Sequence, residues 1–219
     1  MSREIQEYLR TVPDDYVQYH LKRTLRLMDR PDIDRMQNII QRFISFIPSN
    51  LPQRDKAALL YEVVTRRSHY MEEENESRFV FVAALISGKA VCMGIAELYA
   101  IFCSRAGISC RIVVGYAWNH TPEDGCLHAW NMVRLPENGT YRWYHCDPTW
   151  DLDELRVPDR RFFLKSDEYM RENKHIWLED RYPRCPESAV GKAILNEKGV
   201  GLTCHILEEV IASALAGRE

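Results

Sequence analysis

Leu127-His128-Ala129-Trp130-Asn131-Met132-Val133-Arg134-Leu135 and Tyr141-Arg142-Trp143-Tyr144-His145-Cys146-Asp147 flank the segment Glu137-Asn138-Gly139-Thr140. Both outer runs read as strands. The Asn-Gly pair between them suits the positive-φ residues of a two-residue hairpin. Period-two alternation puts Cys126, His128 and Trp130 on one face and Ala129 and Asn131 on the other. The hairpin brings His128 alongside the strand end that carries Asp147, within hydrogen-bond reach. Pro148 keeps Asp147 in extended backbone. A histidine in a strand is also a common structural residue, and an aspartate here can equally form a turn or cap the next segment.

Working outward, Ser109-Cys110-Arg111-Ile112-Val113-Val114-Gly115-Tyr116-Ala117-Trp118 is a third strand by its β-branched content, and Asn119 to Gly125 is a loop. Upstream the period changes to that of a helix. One helix is expected from Cys92 to Arg105, with Ala96, Tyr99, Ala100 and Cys103 inward and Gly107 as its C-terminal cap. Residues Asp14 to Phe46 carry two helices separated by Arg30-Pro31-Asp32, and Pro48 to Pro52 ends the second. A further helix is expected over Gln53 to Arg67. Met71 to Ser77 is an acidic, solvated connection. Downstream, Phe162-Phe163-Leu164 reads as a short strand, and Ser166 or Asp167 caps a short helix. Ala189 to Ala216 reads as helical, broken at Gly199 and Gly201. Helices and an antiparallel meander after them make an α+β fold.

The 219 residues suit one domain with helical extensions. A hydrophobic share of 46% provides for a core, and 28% charged residues fit a globular protein. A net charge of −3 offers no basis for binding nucleic acid or an anionic membrane. Apolar runs such as Phe79 to Ile86 are too short to span a bilayer. Met1 to Glu7 is charged and lacks an apolar signal region, so the cytoplasm is the expected compartment. Seven cysteines include no Cys-x-x-Cys pair. Cys126-x-His128 has no second pair at zinc-site spacing, so no metal is expected and most thiols should be buried and reduced.

Cys92, His128 and Asp147 are the three residue types of a thiol nucleophile, its base and an orienting carboxylate. At a helix N-terminus, free N–H groups and the helix dipole favour thiolate at Cys92 and can receive an oxyanion. The other reading of Cys92 is a buried core cysteine. Cys126 shares the His128 face and borders the site, as do Trp130 and Trp150. Cys146 should point away from Asp147 into packing, and Cys103 into the core.

Residues from about Tyr61 to Trp177 resemble the transglutaminase-like superfamily, a branch of the papain-like cysteine enzymes. The matching words are Gly88-Lys89-Ala90-Val91-Cys92-x-Gly94-x-Ala96, Gly107-Ile108, Val114-Gly115, His128-Ala129-Trp130-Asn131-x-Val133 and Trp143-Tyr144-x-x-Asp147-Pro148-Thr149-Trp150-Asp151. The tail Phe163-Leu164-x-Ser166-Asp167-Glu168-x-Met170, with His175 and Trp177, is similar to a bacterial subgroup. The resemblance implies a papain-like core, its nucleophile helix packed on an antiparallel sheet. Residues 61-180 would form the catalytic domain, 1-60 an N-terminal helical extension and 181-219 a C-terminal one. It further implies Cys92 as nucleophile, His128 as general base then acid, and Asp147 as orienter. Ile86, six residues before Cys92, cannot complete an oxyanion hole. Bacterial relatives place a tyrosine near the site, a position that Tyr70 fits; its other reading is an exposed packing tyrosine. Met93-Gly94-Ile95 stands where the family often has Gln-Gly-Tyr, a change that bears on the subsite.

The expected activity is cysteine-dependent acyl transfer from an amide of a peptide or protein through a thioester, with hydrolysis (protease or deamidase) favoured. A transglutaminase using an amine acceptor and a non-catalytic peptide-binding scaffold are the rivals. A peptide-glycan amidase is disfavoured because zinc-binding Cys pairs are absent. No cofactor is expected.

Overall fold

Asn138 and Gly139 both take positive φ, 48° and 80°, as a tight hairpin turn requires. They join two long antiparallel strands, here β4 (Cys126–Glu137) and β5 (Thr140–Cys146), with Asn131 opposite Cys146 and Glu137 opposite Thr140. The computed structural model describes residues 3–12, 29–71, 81–152, 160–189 and 197–216. Around that hairpin lies a five-stranded antiparallel sheet. β3 (Ser109–Ala117) pairs with β4, β6 (Phe163–Lys165) with β5, and β7 (His175–Trp177) with β3, in the spatial order β6-β5-β4-β3-β7. A separate parallel pair joins β1 (His69–Tyr70) to β2 (Lys89–Ala90).

The helices are α1 (Arg3–Thr11), α2 (Arg30–Ser45), α3 (Gln53–Arg67), α4 (Phe81–Ile86), α5 (Cys92–Arg105), α6 (Asp167–Glu172) and α7 (Glu197–Ala216). Pro31 lies in the first turn of α2, where its missing N–H costs nothing, and the Asp29 side chain caps the helix by accepting from Asp32 N. The end of α5 is closed by Gly107 at φ 78°, with Ile108 N donating to Cys103 O and Gly107 N to Ser104 O. This is the paired bonding of a glycine-terminated helix. Ser166 caps α6 by accepting from Tyr169 N.

Helix α5 lies against β3, β4, α3 and α4. Its face belongs to the main core, where Phe43 and Phe102 rings meet at 5.0 Å and are joined by Leu60, Tyr99, Val133 and Leu207. A second cluster holds Val113, Trp130, Met132, Phe162, Met170, Trp177 and Cys185. Cys103 and Cys146 are fully buried in the main core, as alternation places them.

Several expectations meet a different outcome or fall outside the described residues. Helix α7 runs unbroken through Gly199 and Gly201; a single helical glycine costs only about 1 kcal/mol, and α7 recovers more by packing Val200, Leu207, Val210 and Ile211 into the main core. Over Gly199–Ala216, α7 is also long and apolar enough, by length and composition, to cross a membrane, unlike the shorter runs weighed in the sequence. Arg3–Thr11 is helical without having been expected. The first helix of the Asp14–Phe46 stretch and the acidic run after Met71 lie outside the described residues. Residue 60, where the N-terminal extension was expected to end, falls inside α3.

Glu97 is an acid inside the core. It is fully buried on α5, its Oε2 accepts from the Phe81 N–H that starts α4, and its Oε1 has no partner. It shares the wall of a cavity of about 350 Å³ with Met36, Ile40, Phe81, Ile101 and Ile112. Burial lifts the carboxyl to about 8, against a smaller opposing effect of the Phe81 hydrogen bond. The folded chain therefore keeps a proton that the unfolded chain releases near pH 4–5. That stability is fully present below the ordinary carboxylate range and falls by up to about 1.4 kcal/mol per pH unit until the folded group itself ionises. Glu97→Gln should flatten the decline and exceed wild type in stability at pH 8, as read by urea unfolding between pH 5 and 8. Parallel wild-type and variant curves would place the decline elsewhere.

Candidate active site

The route to Cys92 starts at Gly88. Its φ is +70°, and a Cβ there would lie 2.5 Å from the Arg67 carbonyl oxygen, so only glycine makes this turn without strain. The Arg67 guanidinium donates to the carbonyls of Ala84, Leu85 and Ile86 and closes the end of α4 against the same turn. β2 then pairs with β1, Val91 is extended, and α5 begins at Cys92. No side chain caps this helix start, so its first N–H groups point toward the thiol end of the helix. Cys92 is partly exposed.

His128 meets Cys92 from the end of β4. Its Nε2 donates to Asp147 Oδ2 at 2.6 Å, and the Cys92 side chain lies near enough to act on the same ring. With Nε2 committed to Asp147, Nδ1 is the nitrogen left for the thiol. Burial would lower the His128 imidazolium, but the charge and hydrogen bond of Asp147, with a contribution from Cys92, raise it well above its ordinary value. Asp147 is fully buried just past β5. Its Oδ1 accepts from Thr149 N (2.9 Å) and Trp150 N (3.2 Å), and its Oδ2 accepts also from His175 Nε2 at 2.9 Å. Burial would raise this carboxyl. The charge of His128 and the hydrogen bonds from His128 and His175 overcome that and hold it well below the usual carboxylate range.

Beneath this group lies an aromatic floor. The Trp130 ring stacks on His128 at 5.8 Å and 21°. Its Nε1 donates to His145 Nδ1 at 2.9 Å, and His145 Nε2 donates to Asp167 Oδ1 at 2.9 Å. Trp130 fits because residue 115 is glycine: a Cβ there would lie 2.5 Å from the Trp130 ring and 2.3 Å from the Ile176 carbonyl oxygen. Gly115 pairs with His128 on one side and Trp177 on the other. Trp130 is fully buried beneath His128. Trp150 stands 6.2 Å from His128 and 4.4 Å from His175. Cys126 is exposed and lies close enough to feel both His128 and Cys92; partial burial, the largest influence, pushes its thiol up.

Tyr70 lies on β1 opposite Ala90, two residues ahead of Cys92, and is 44% exposed. Among the described residues, two clusters hold three ligand-type atoms within 4.8 Å, His128–Asp147–His175 and His145–Asp167–Cys185. In the second, both His145 nitrogens are taken by Trp130 and Asp167, and burial pushes the Cys185 thiol far up, with Asp167 adding to it. In the first, all three ligand atoms converge in short mutual hydrogen bonds. Both sets are satisfied as hydrogen-bond networks.

Sequence reasoning brought Cys92, His128 and Asp147 together, left His175 and His145 without roles, and read Asp167 only as a candidate helix cap, a position that Ser166 takes. His175 is twenty-eight residues from Asp147 and reaches it only because β7 adds to the far side of β3. The spacing His175-x-Trp177 was its one signal.

Residues 40–148 match the family model of the Transglutaminase-like superfamily, a span that includes Cys92, His128 and Asp147. No curated protein matches the chain. Among solved structures, a candidate cysteine protease from Cytophaga hutchinsonii is similar at 21% identity over 43% of this chain and 31% of that protein, with a TM-score of 0.36. At that TM-score the likeness carries no argument.

Asp147→Asn should lower the His128 pKa by about 1–3 units, because it removes the charge that outweighs burial. An NMR titration of the imidazole carbon-bound protons reads the shift. An unchanged titration would mean that Asp147 does not hold the ring's charge.

Proposed function

The chain belongs to the transglutaminase-like superfamily, and from that premise we propose that it is a cysteine-dependent enzyme that transfers the acyl group of a peptide or protein amide through a thioester, with water as the usual acceptor. The observation that carries this reading is one imidazole bonded at 2.6 Å to a buried carboxylate and lying near a partly exposed thiol at the start of a helix.

In this reading His128 takes the Cys92 proton, and the thiolate sulfur attacks the amide carbonyl carbon. The carbonyl π electrons move to oxygen, which faces the uncapped N–H groups at the start of α5. Collapse of the tetrahedral species expels the amine or ammonia as the His128 imidazolium protonates it. Water, deprotonated by His128, then attacks the thioester, releases the acid and returns Cys92 and His128 to their starting state. Asp147 keeps the ring in one tautomer and stabilises its cation throughout. These steps use only side chains and water. In this reading Tyr70, on β1 opposite Ala90, offers a second donor to the oxyanion.

Incubation with a library of glutamine-containing peptides and a labelled primary amine, and then mass spectrometry, separates the outcomes. Backbone cleavage or conversion of amide to acid supports hydrolysis. Incorporation of the amine would make the chain a transglutaminase. No turnover, with no acyl-enzyme on Cys92, would favour a binding scaffold.

The roles assigned to Cys92 and Tyr70 each have a separate readout. Iodoacetamide should alkylate Cys92 before Cys126, although Cys126 is the more exposed thiol; peptide mapping after brief labelling at neutral pH reads the order, and labelling of Cys126 first would remove Cys92 as nucleophile. Tyr70→Phe should cut kcat roughly a hundredfold with little change in KM, the cost of one oxyanion donor. Wild-type turnover in the Phe variant would leave the oxyanion to backbone groups alone.

A further inference from the structure

His175 is fully buried, and each of its ring nitrogens faces an oxygen. Nδ1 lies 2.7 Å from the Asn173 carbonyl oxygen and Nε2 lies 2.9 Å from Asp147 Oδ2. A carbonyl oxygen only accepts, and an ionised carboxylate oxygen only accepts. Neutral imidazole carries one N–H, so it would leave one of these contacts as two lone pairs face to face. Both contacts are satisfied together only when both nitrogens carry protons. The surroundings suit a cation: the rings of Trp150, Trp130 and Phe162 lie 4.4, 5.3 and 5.3 Å away, within the range at which aromatic groups attract positive charge. The titratable groups around it are Asp147, then His128 at 5.5 Å between ring centres, and His145, whose field it also feels.

We propose that His175 is a positioning residue of this site, a doubly protonated imidazole clamped between Asn173 and Asp147 that shares the Asp147 charge with His128. This rests on the acyl-transfer reading for its consequence, though not for its geometry. Asp147 Oδ2 receives two N–H bonds, so its single negative charge is divided between two imidazoles. His175 holds that oxygen in place by a second bond, at 2.9 Å. Its positive charge also opposes that of the His128 imidazolium. A lone aspartate would bind the His128 proton harder; the shared one leaves His128 a better proton donor to the departing amine. His175 moves no proton itself and touches neither thiol nor substrate.

Two measurements test this. In the wild-type protein, nitrogen-15 NMR of the imidazoles should show two protonated nitrogens on His175 at neutral pH, and Asp147→Asn should remove one of them. A single protonated nitrogen in wild type overturns the proposal. The second measurement is the pH profile of Cys92 alkylation by iodoacetamide in wild type and in His175→Gln, whose amide can keep a neutral donor near Nε2. The alkaline inflection, where the His128 imidazolium deprotonates, should move to higher pH by about half a unit or more in the variant, since a neighbouring like charge has gone. A merely structural role would slow the reaction or lower stability without moving the inflection, and superimposed inflections overturn the proposal. If His175→Gln does not fold, the wild-type NMR decides. An inert Cys92 would defeat the acyl-transfer reading while leaving the two-proton signature of His175 to stand or fall separately.

Discussion

A buried carboxylate must be saturated with donors or it drives the chain apart, and Asp147 is the point at which the chain meets that demand. Its side chain takes four hydrogen bonds, from His128, His175 and the backbone of Thr149 and Trp150. Its own N–H donates to Phe162 O, and its carbonyl accepts the Tyr61 hydroxyl at 2.7 Å. One residue thereby ties together α3, β4, the turn after β5, the lead into β6, and β7. None of these segments is held to the others here by apolar contact alone. Misplacing any of them leaves a charge without a partner in the interior, and this gives the arrangement its uniqueness.

The ionic centre is fixed by further buried polar groups around it. Asp151 Oδ2 accepts from Phe162 N and lies 2.7 Å from the same Tyr61 hydroxyl, which shares its one proton between Asp151 and the Asp147 carbonyl. On the other side, Trp130 passes the constraint to His145 and Asp167, and Asp167 also accepts from Cys185 N. Burial lowers the His145 imidazolium, with Asp167 acting against it, in keeping with Nδ1 accepting from Trp130. The two buried histidine–aspartate pairs therefore differ in kind. One pairs a neutral imidazole with an ionised carboxylate as scaffolding, and the other lies near the thiol.

What could be read from the chain was whatever is decided locally. Asn138-Gly139 specifies its turn by φ alone, Gly107 ends its helix by the same freedom, and the three-to-four spacing of Ala96, Tyr99, Ala100 and Cys103 marks α5. From those, strand pairing leads to the meeting of Cys92, His128 and Asp147. What escaped was decided at a distance. β7 has three residues and no alternation to detect, and it exists because β3 offers an edge. His175 acquires its partner only through that edge. Gly115 appears in the sequence only as part of the matching pair Val114-Gly115, whereas its task is to leave room for an indole from the next strand. Gly199 and Gly201 look like breaks until the core behind α7 is counted. Glu97 sits on the inner side of a helix with nothing in the sequence to mark it as a buried acid.

The stacking of Trp130 on His128 has an optical consequence. Indole emission is quenched by a nearby imidazolium far more than by a neutral imidazole. Of the five tryptophans in the chain, Trp130 lies face to face with that ring, and Trp150 stands beside both His128 and His175. The intrinsic fluorescence of the protein is therefore tied to the charge state of His128. The molecule carries a built-in indicator by which protonation at its centre can be tracked in dilute solution, without substrate and without label.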